Sequence, residues 1–395
     1  MLQIQEQRRL NPRVIQVEGH LPPSPQVLAT FQEWEYAYHE MSGGSFRITP
    51  TPSLSTNVSI PELADSFTQH FKDWLKSGNW EWHKIRECLL RSLNFQEEIL
   101  VIVETQDLLL QRLPWHLWDL FSETFTNAEI ALSAASYQPP PLVLPRDETR
   151  VLVVLGSNSN GINVDEDRKV LEQFSQVDLH FLVTPSLEEL TRLLWEQSWD
   201  ILYFAGHSSS QPEETGGFLM IQDTEVPLNR LKYGLEQALR RGLRLAIFNS
   251  CDGLGLAREL ADLHIPQILV MREPVPDQVA QEFLKFFLAA FTSGQSLYLS
   301  VQTARRRLQG LEDRFPCASW LPVICQNPAE LPLQPPKASL WQRARSALLI
   351  SAAIAMGVLG IRNIGLLQPL ELQAFDQLQL LRPQEQPDPP HFSQA

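Results

Sequence analysis

The sequence predicts an α/β protein with a mainly parallel sheet flanked by helices, an N-terminal α+β region before it and a C-terminal transmembrane helix after it. Three observations lead there. Strand-like and helix-like segments alternate through residues 142–330, the pattern of a parallel sheet covered on both faces. Two proline-rich stretches, Tyr137 to Arg150 and Asn327 to Ser339, set that block apart because neither can run as regular helix or central strand. Finally, Ser346 to Ile361 carries no charge across 16 residues. The expected units are residues 1–137, the central block 142–330, a proline-rich linker 331–345, a membrane helix 346–367 and a tail 368–395.

In chain order, "SPQVLATFQEWEYAYHEM" and "SIPELADSFTQHFKDWLKS" are helical, each opening after a Ser-Pro or Ser-x-Pro start. "EEILVIVET" reads as a strand. Tryptophans 74, 80, 82, 115 and 118 are expected to pack a core rather than form a ligand cage. The central block begins with "RVLVVLG", a β-branched run that reads as a buried strand. A helix around "DRKVLEQF" and a strand "VDLHFLVT" follow. Ser186 with Glu189 three residues on marks a capping box opening the amphipathic helix "SLEELTRLLWEQ". "WDILYFAGHSSS" is a third strand, "GGFLMIQDTEVPL" a hairpin, and "LKYGLEQALRRG" a helix. "LRLAIFNSC" supplies the fourth strand, "GLARELADL" a helix and "IPQILVM" the fifth strand. The basic cluster "ARRRL" (Ala304 to Leu308) reads as the solvated side of a helix.

Composition excludes several functions. A net charge of −14 argues against a nucleic-acid binder dependent on phosphate contacts. The four cysteines (Cys88, Cys251, Cys317, Cys325) are too few and scattered for a disulfide framework. Cys317 and Cys325 lack the second close pair that a zinc site needs, so no metal and no cofactor is expected. "MLQIQEQRRLNPR" has no apolar core, so no secretory signal is read there. "LGSNSNG" lacks the Gly-Lys-Ser/Thr ending of a phosphate loop and reads as a plain strand-to-helix connection.

His207 and Cys251 draw attention together. Each lies just past the carboxyl end of an expected strand, where sites form in open α/β sheets. One strand–helix unit separates them, so their strands are expected to be neighbours opening onto one rim. A cysteine nucleophile needs a base nearby to become thiolate, and histidine supplies it. Backbone N–H groups near Gly206 and in the turn at Cys251 are suited to stabilise an oxyanion. The chemistry suggested is peptide-bond cleavage through a thioester. A purely structural cysteine and histidine at strand ends remain the plain alternative.

"LYFAGHSSS" followed by "LAIFNSCDGLGLA" resembles the histidine and cysteine blocks of CHAT proteins, relatives of caspases, separases and gingipains. "LPWHLWDL" (Leu113 to Leu120) resembles the Leu-Pro-Trp block of that family, and "MREPVPDQVAQEFLKFFLAAFTSGQSLYLSVQTARRRL" its last strand and helices. The resemblance implies a caspase-like fold, Cys251 as nucleophile and His207 as general base and later acid. It also implies backbone oxyanion donors at Gly206, Ser208 and Gly253, and a protein or peptide substrate. Asp252 and Asp223 are candidates for an acidic substrate pocket. One departure matters: the clan usually has glycine after the histidine, whereas this chain has Ser208, which a positive φ would strain. A catalytically inactive CHAT module that recruits signalling partners is therefore the alternative. Residues 1–137 stand where many CHAT proteins carry a degenerate caspase-like half.

The uncharged run Ser346 to Ile361 would make about 24 Å of helix, short of the roughly 30 Å of a bilayer core. Apolar character resumes in "IGLL" beyond Arg362, which sits where a long side chain snorkels. Lys337, Arg343 and Arg345 precede the run while Glu371 and Asp376 follow it, which places residues 142–330 in the cytoplasm of a membrane-anchored chain. "LLQPLELQAFDQLQLLRP" resembles the opening of the CHASE-type sensor that follows a CHAT domain and a membrane span in cyanobacterial proteins. The expectation is a truncated sensor, with any signal arriving through a separate sensor or regulatory partner.

Overall fold

The computed structural model describes residues 2–7, 13–17, 19–41, 59–133, 148–157, 163–174, 176–210, 217–222, 224–250, 253–330 and 333–335. All fall within the unit Met1–Ala338. The expected membrane helix 346–367 and the sensor-like tail 368–395 lie outside the described residues. Among the described residues no helix is long and apolar enough to cross a membrane.

The chain opens with an antiparallel pair, β1 (Leu2–Gln7) and β2 (Arg13–Val17). Helices α1 (Pro25–Met41), α2 (Ile60–Leu75) and α3 (Trp80–Ser92) follow. Ser59 caps α2 in a full capping box, its hydroxyl accepting from the Glu62 amide while the Glu62 carboxylate accepts from the Ser59 amide. Next come β3 (Glu98–Val103), the short helix α4 (Leu108–Arg112) and β4 (Ala128–Ser133). The central block supplies β5 (Thr149–Leu155), α5 (Val164–Glu172), β6 (Val177–Val183), α6 (Leu187–Glu196) and β7 (Ile201–Ala205). Ser186 accepts from the Glu189 amide at the start of α6, the expected cap.

Three short strands then make a side sheet: β8 (Ser208–Ser210), β9 (Gly217–Ile221) and β10 (Thr224–Pro227). The main chain returns through α7 (Lys232–Arg240), β11 (Leu245–Asn249), α8 (Gly253–Asp262) and β12 (Gln267–Met271). It closes with α9 (Asp277–Thr292), α10 (Leu297–Leu308) and β13 (Pro322–Gln326).

Ten strands form one sheet in the order β2-β1-β3-β4-β13-β12-β11-β7-β5-β6. It is mainly parallel, as expected; only β1 with its two neighbours and β12 with β13 run antiparallel. Because β4 pairs with β13, strands from before residue 137 and after residue 142 share that sheet. Strands β7, β11 and β12 are buried along their whole length, which requires cover on both faces.

Two expectations need correcting. Trp74 is half-buried, and Trp82, Trp115 and Trp118 are buried as foreseen, but Trp80 is 68% exposed with the Lys84 ammonium 4.2 Å from its ring centre. The cluster "ARRRL" is not wholly solvated either. Arg306 and Arg307 are exposed, whereas Arg305 lies on the packed face with Val301, Ala304 and Leu308. There it donates to the Glu129 carboxylate of β4 at 3.0 Å and to the Ser319 carbonyl at 2.9 Å. A buried guanidinium is tolerable only when paired in this way.

Candidate active site

Strands β7 and β11 are parallel neighbours, as the sequence predicts, with Ile201 opposite Leu245 and Ala205 opposite Asn249. Paired positions are therefore 44 apart, and 44 also separates His207 from Cys251. His207 is the second residue beyond β7 and is buried; Cys251 is the second beyond β11 in sequence. Cys251 and Asp252 themselves lie outside the described residues, as does Asp223 between β9 and β10.

The loop after β7 is shaped by a close backbone approach. The Gly156 amide donates to the Ala205 carbonyl at 2.8 Å. A Cβ on Gly156 would stand 3.3 Å from the Gly206 Cα, and one on Gly206 would stand 3.0 Å from the Phe204 ring. Glycine is needed at 206 for that approach. At the other loop, a Cβ on Gly253 would meet the Val270 side chain at 2.5 Å and the Met271 carbonyl at 2.6 Å. The first residue of α8 is thus pressed against β12.

Ser208 is not strained. It is the first residue of β8, opposite Leu219, and its φ is not among the positive values found at Thr184, Gln222, His264 and Cys317. The Met220 amide donates to the His207 carbonyl at 2.9 Å, which makes 207 and 220 the hydrogen-bonded pair. In an antiparallel ladder the next pair, 208 and 219, is then the non-bonded kind. The Ser208 amide is consequently directed away from β9. This geometry corrects the strain expected for a serine in that place.

The hydroxyl of Ser208 donates to that of Ser250 at 2.7 Å, and both residues are buried. Beneath them Asn249 is held by a buried triad. Its amide donates to Asp167 of α5 at 2.8 Å and to the Tyr203 hydroxyl at 3.0 Å, while Tyr203 donates to the same carboxylate oxygen at 2.9 Å. Asp167 is fully buried. Sequence reasoning missed both groups. "FNSC" and "HSSS" did place serines next to the two candidate residues, but nothing local shows that their hydroxyls meet.

Beyond β12 stands a second polar group. Arg272 is buried and donates to the Leu113 carbonyl at 2.9 Å and the Trp320 carbonyl at 3.1 Å, tying the Leu-Pro-Trp block to the end of this strand. Burial, and then Arg305, push its pKa down to about 9. Glu273 beside it accepts from His39 at 2.8 Å and Arg112 at 3.1 Å. Burial opposes ionisation of Glu273, but the hydrogen bonds and charges of His39 and Arg112 outweigh it and hold the carboxyl below its ordinary value. Burial pushes the thiols of Cys317 and Cys325 up to about 12. A cavity of about 370 Å³ bounded by Trp74, Trp82, Trp115 and Glu104 lies elsewhere; none of its lining residues belongs to the loops after β7 and β11.

Among solved structures the chain is similar to the Saccharomyces cerevisiae separase–securin complex, with 12% identity over 76% of this chain and 22% of that chain, TM-score 0.40. It thus spans about a fifth of the length of the chain it matches there. It is similar to the complex of Porphyromonas gingivalis RgpB pro- and mature domains, with 8% identity over 78% and 79% of the two chains, TM-score 0.41. A protein from Geobacter sulfurreducens is matched at 14% identity over 47% of this chain and 98% of that one, TM-score 0.30. No curated protein matches in sequence. The CHAT domain matches residues 96–328, more than half of the sequence and both candidate loops, and the chain belongs to the CHAT domain family.

Proposed function

We propose that the chain is a caspase-like cysteine endopeptidase with Cys251 as nucleophile and His207 as general base and acid. The observation that carries this reading is the equal spacing: β7 and β11 pair 44 positions apart, and so do the two candidate residues that follow them. His207 takes the thiol proton, and the Cys251 sulfur attacks the scissile carbonyl carbon. The resulting oxyanion is met by backbone N–H groups of the two loops, those of Ser208 and Gly253 among them, with Gly206 allowing the close approach. Collapse breaks the C–N bond, and His207 gives its proton to the departing amine. Water, deprotonated by His207, then hydrolyses the thioester and restores the thiol. Asp252 and Asp223 give the site an acidic character suited to a basic substrate side chain.

The uncharged run in 346–367 supports a membrane anchor, and the basic residues before it support a cytoplasmic face for the peptidase. A sensor or regulatory protein is then the natural source of an activating signal. The test is cleavage of a peptide library by the full chain and by its Cys251→Ala form. Cleavage by the parent alone is expected, and its pattern reports the substrate side chain preferred. Equal cleavage by both overturns the mechanism. No cleavage by either, with an unreactive Cys251, supports the non-catalytic module that recruits partners.

A further inference from the structure

We infer that the Ser208–Ser250 hydroxyl pair is a positioning device that ties the loop bearing His207 to the loop bearing Cys251, so that this chain requires serine, not glycine, after the histidine. The inference rests on the peptidase reading and deepens it. Each serine is one residue from a proposed reacting side chain, and the two hydroxyls meet at 2.7 Å in a buried setting. Glycine at 208 removes the contact outright and loosens the backbone.

The loops need such a tie because β7 ends at Ala205 and β11 at Asn249, leaving ladder hydrogen bonds below both residues. On one side the loop is anchored by the Met220 to His207 hydrogen bond. On the other, Asn249 is anchored by Asp167 and Tyr203. Ser208 and Ser250 alone join the two anchored points directly among the printed side-chain contacts of the described loop residues, and they do so at the level where His207 must face Cys251. A base displaced by a fraction of an ångström from its nucleophile loses much of its effect.

A merely structural role makes a different forecast. Each hydroxyl satisfies the other, so removing one leaves a buried polar group unpaired, whereas removing both restores the balance. If the pair only satisfies itself, Ser208→Ala/Ser250→Ala should recover what either single change loses. If the pair positions the loops, the double variant stays impaired although its stability recovers.

The experiment uses the full chain and its Ser208→Gly, Ser208→Ala, Ser250→Ala and double-alanine forms. Iodoacetamide alkylation of Cys251 is followed by mass spectrometry from pH 5 to 9, beside kcat and KM for a cleaved peptide and the thermal midpoint of each form. The parent should alkylate with a midpoint below that of an ordinary thiol, about 8.5. All four variants should move that midpoint upward and lower kcat about tenfold with KM within about twofold, the double variant included. A parent with a lowered midpoint and variants that match it, or a double variant that recovers, overturns the positioning role and leaves the peptidase standing. A parent whose Cys251 titrates like an ordinary thiol overturns the peptidase reading, and the pair then has nothing to position.

Discussion

Replacing Asp167 by alanine should unsettle the strand that leads to Cys251. The carboxylate is fully buried and accepts two hydrogen bonds, from Tyr203 at 2.9 Å and Asn249 at 2.8 Å. Alanine leaves both donors in a dry interior, at about 1–3 kcal/mol for each unpaired group. The Asn249 amide keeps its 3.0 Å contact with the Tyr203 oxygen, so its loss falls toward the low end while that of Tyr203 is nearer the middle. The sum is about 3–4 kcal/mol. Asp167→Asn retains an acceptor oxygen in the same place and should cost about 1–2 kcal/mol, the difference between a charged and a neutral acceptor. Urea unfolding followed by tryptophan fluorescence measures both. An alanine variant within about 1 kcal/mol of the parent, or an asparagine variant as damaged as the alanine one, refutes the assigned network.

Further expectations concern the rest of the fold. Arg305→Ala strands Glu129, whose carboxyl burial already pushes up against the pull of Arg305. It should destabilise by about 3–5 kcal/mol, and much less when Glu129 is replaced together with it by an apolar residue; chemical denaturation of single and double variants decides. The thiols of Cys317 and Cys325, both pushed up to about 12, stay protonated near neutral pH. They should therefore alkylate far more slowly than an activated Cys251 in the native chain, and comparable rates contradict that. The hydrogen bond to Glu273 leads the effects that raise His39 above its ordinary 6.5. Its stabilisation is thus full below that value and lost as pH rises through the raised one. Glu273, held low, contributes above 4.5 and loses its contribution as pH falls. The pair therefore helps most between about pH 4.5 and 6.5, and His39→Gln should flatten the fall in stability from pH 6.5 to 8. Unchanged slopes in urea midpoints contradict it. His116, kept neutral by complete burial, weakens the fold below pH 6.5 in both forms and so cancels from the comparison.

How far the sequence revealed the molecule depends on how each element earns its burial. β5, β7, β11 and β12 are covered on both faces, so their apolar runs are continuous and unmistakable. The helices between them announce themselves through caps such as Ser186 and through their apolar periodicity. β4 hides because Glu129 interrupts "AEIALS", and that carboxylate is buried only by virtue of Arg305, 176 residues away. β13 opens with Pro322 beside a proline-rich boundary and reads as part of it, although a proline is tolerated at the first position of a strand. "LQIQEQ" and "RVIQV" are too polar to signal a strand, and their partner β3 lies some 90 residues on. β8 is a run of three serines with no pattern of its own.

The candidate site divides along the same line. His207 and the fourth-strand block around Cys251 were legible because a strand that turns polar at its carboxyl end is a local signal. The serine bridge, the Asp167 triad and the Glu273 cluster were not. Each joins residues 36 or more positions apart, so the pairing exists only once β7, β11 and β12 lie side by side. Ser208 carries the sharpest lesson: read alone it suggested strain and lost activity, while its place in β8 removes the strain and gives its hydroxyl a partner.

The most direct measurement is to mix the chain with a cleaved peptide, quench in acid within the first turnover and weigh the intact protein. The account predicts a mass increase equal to the acyl half of the peptide, localised by fragmentation to Cys251, absent in Cys251→Ala and strongly diminished in His207→Ala. Turnover with no adduct on Cys251, or with the acyl group on another residue, contradicts it.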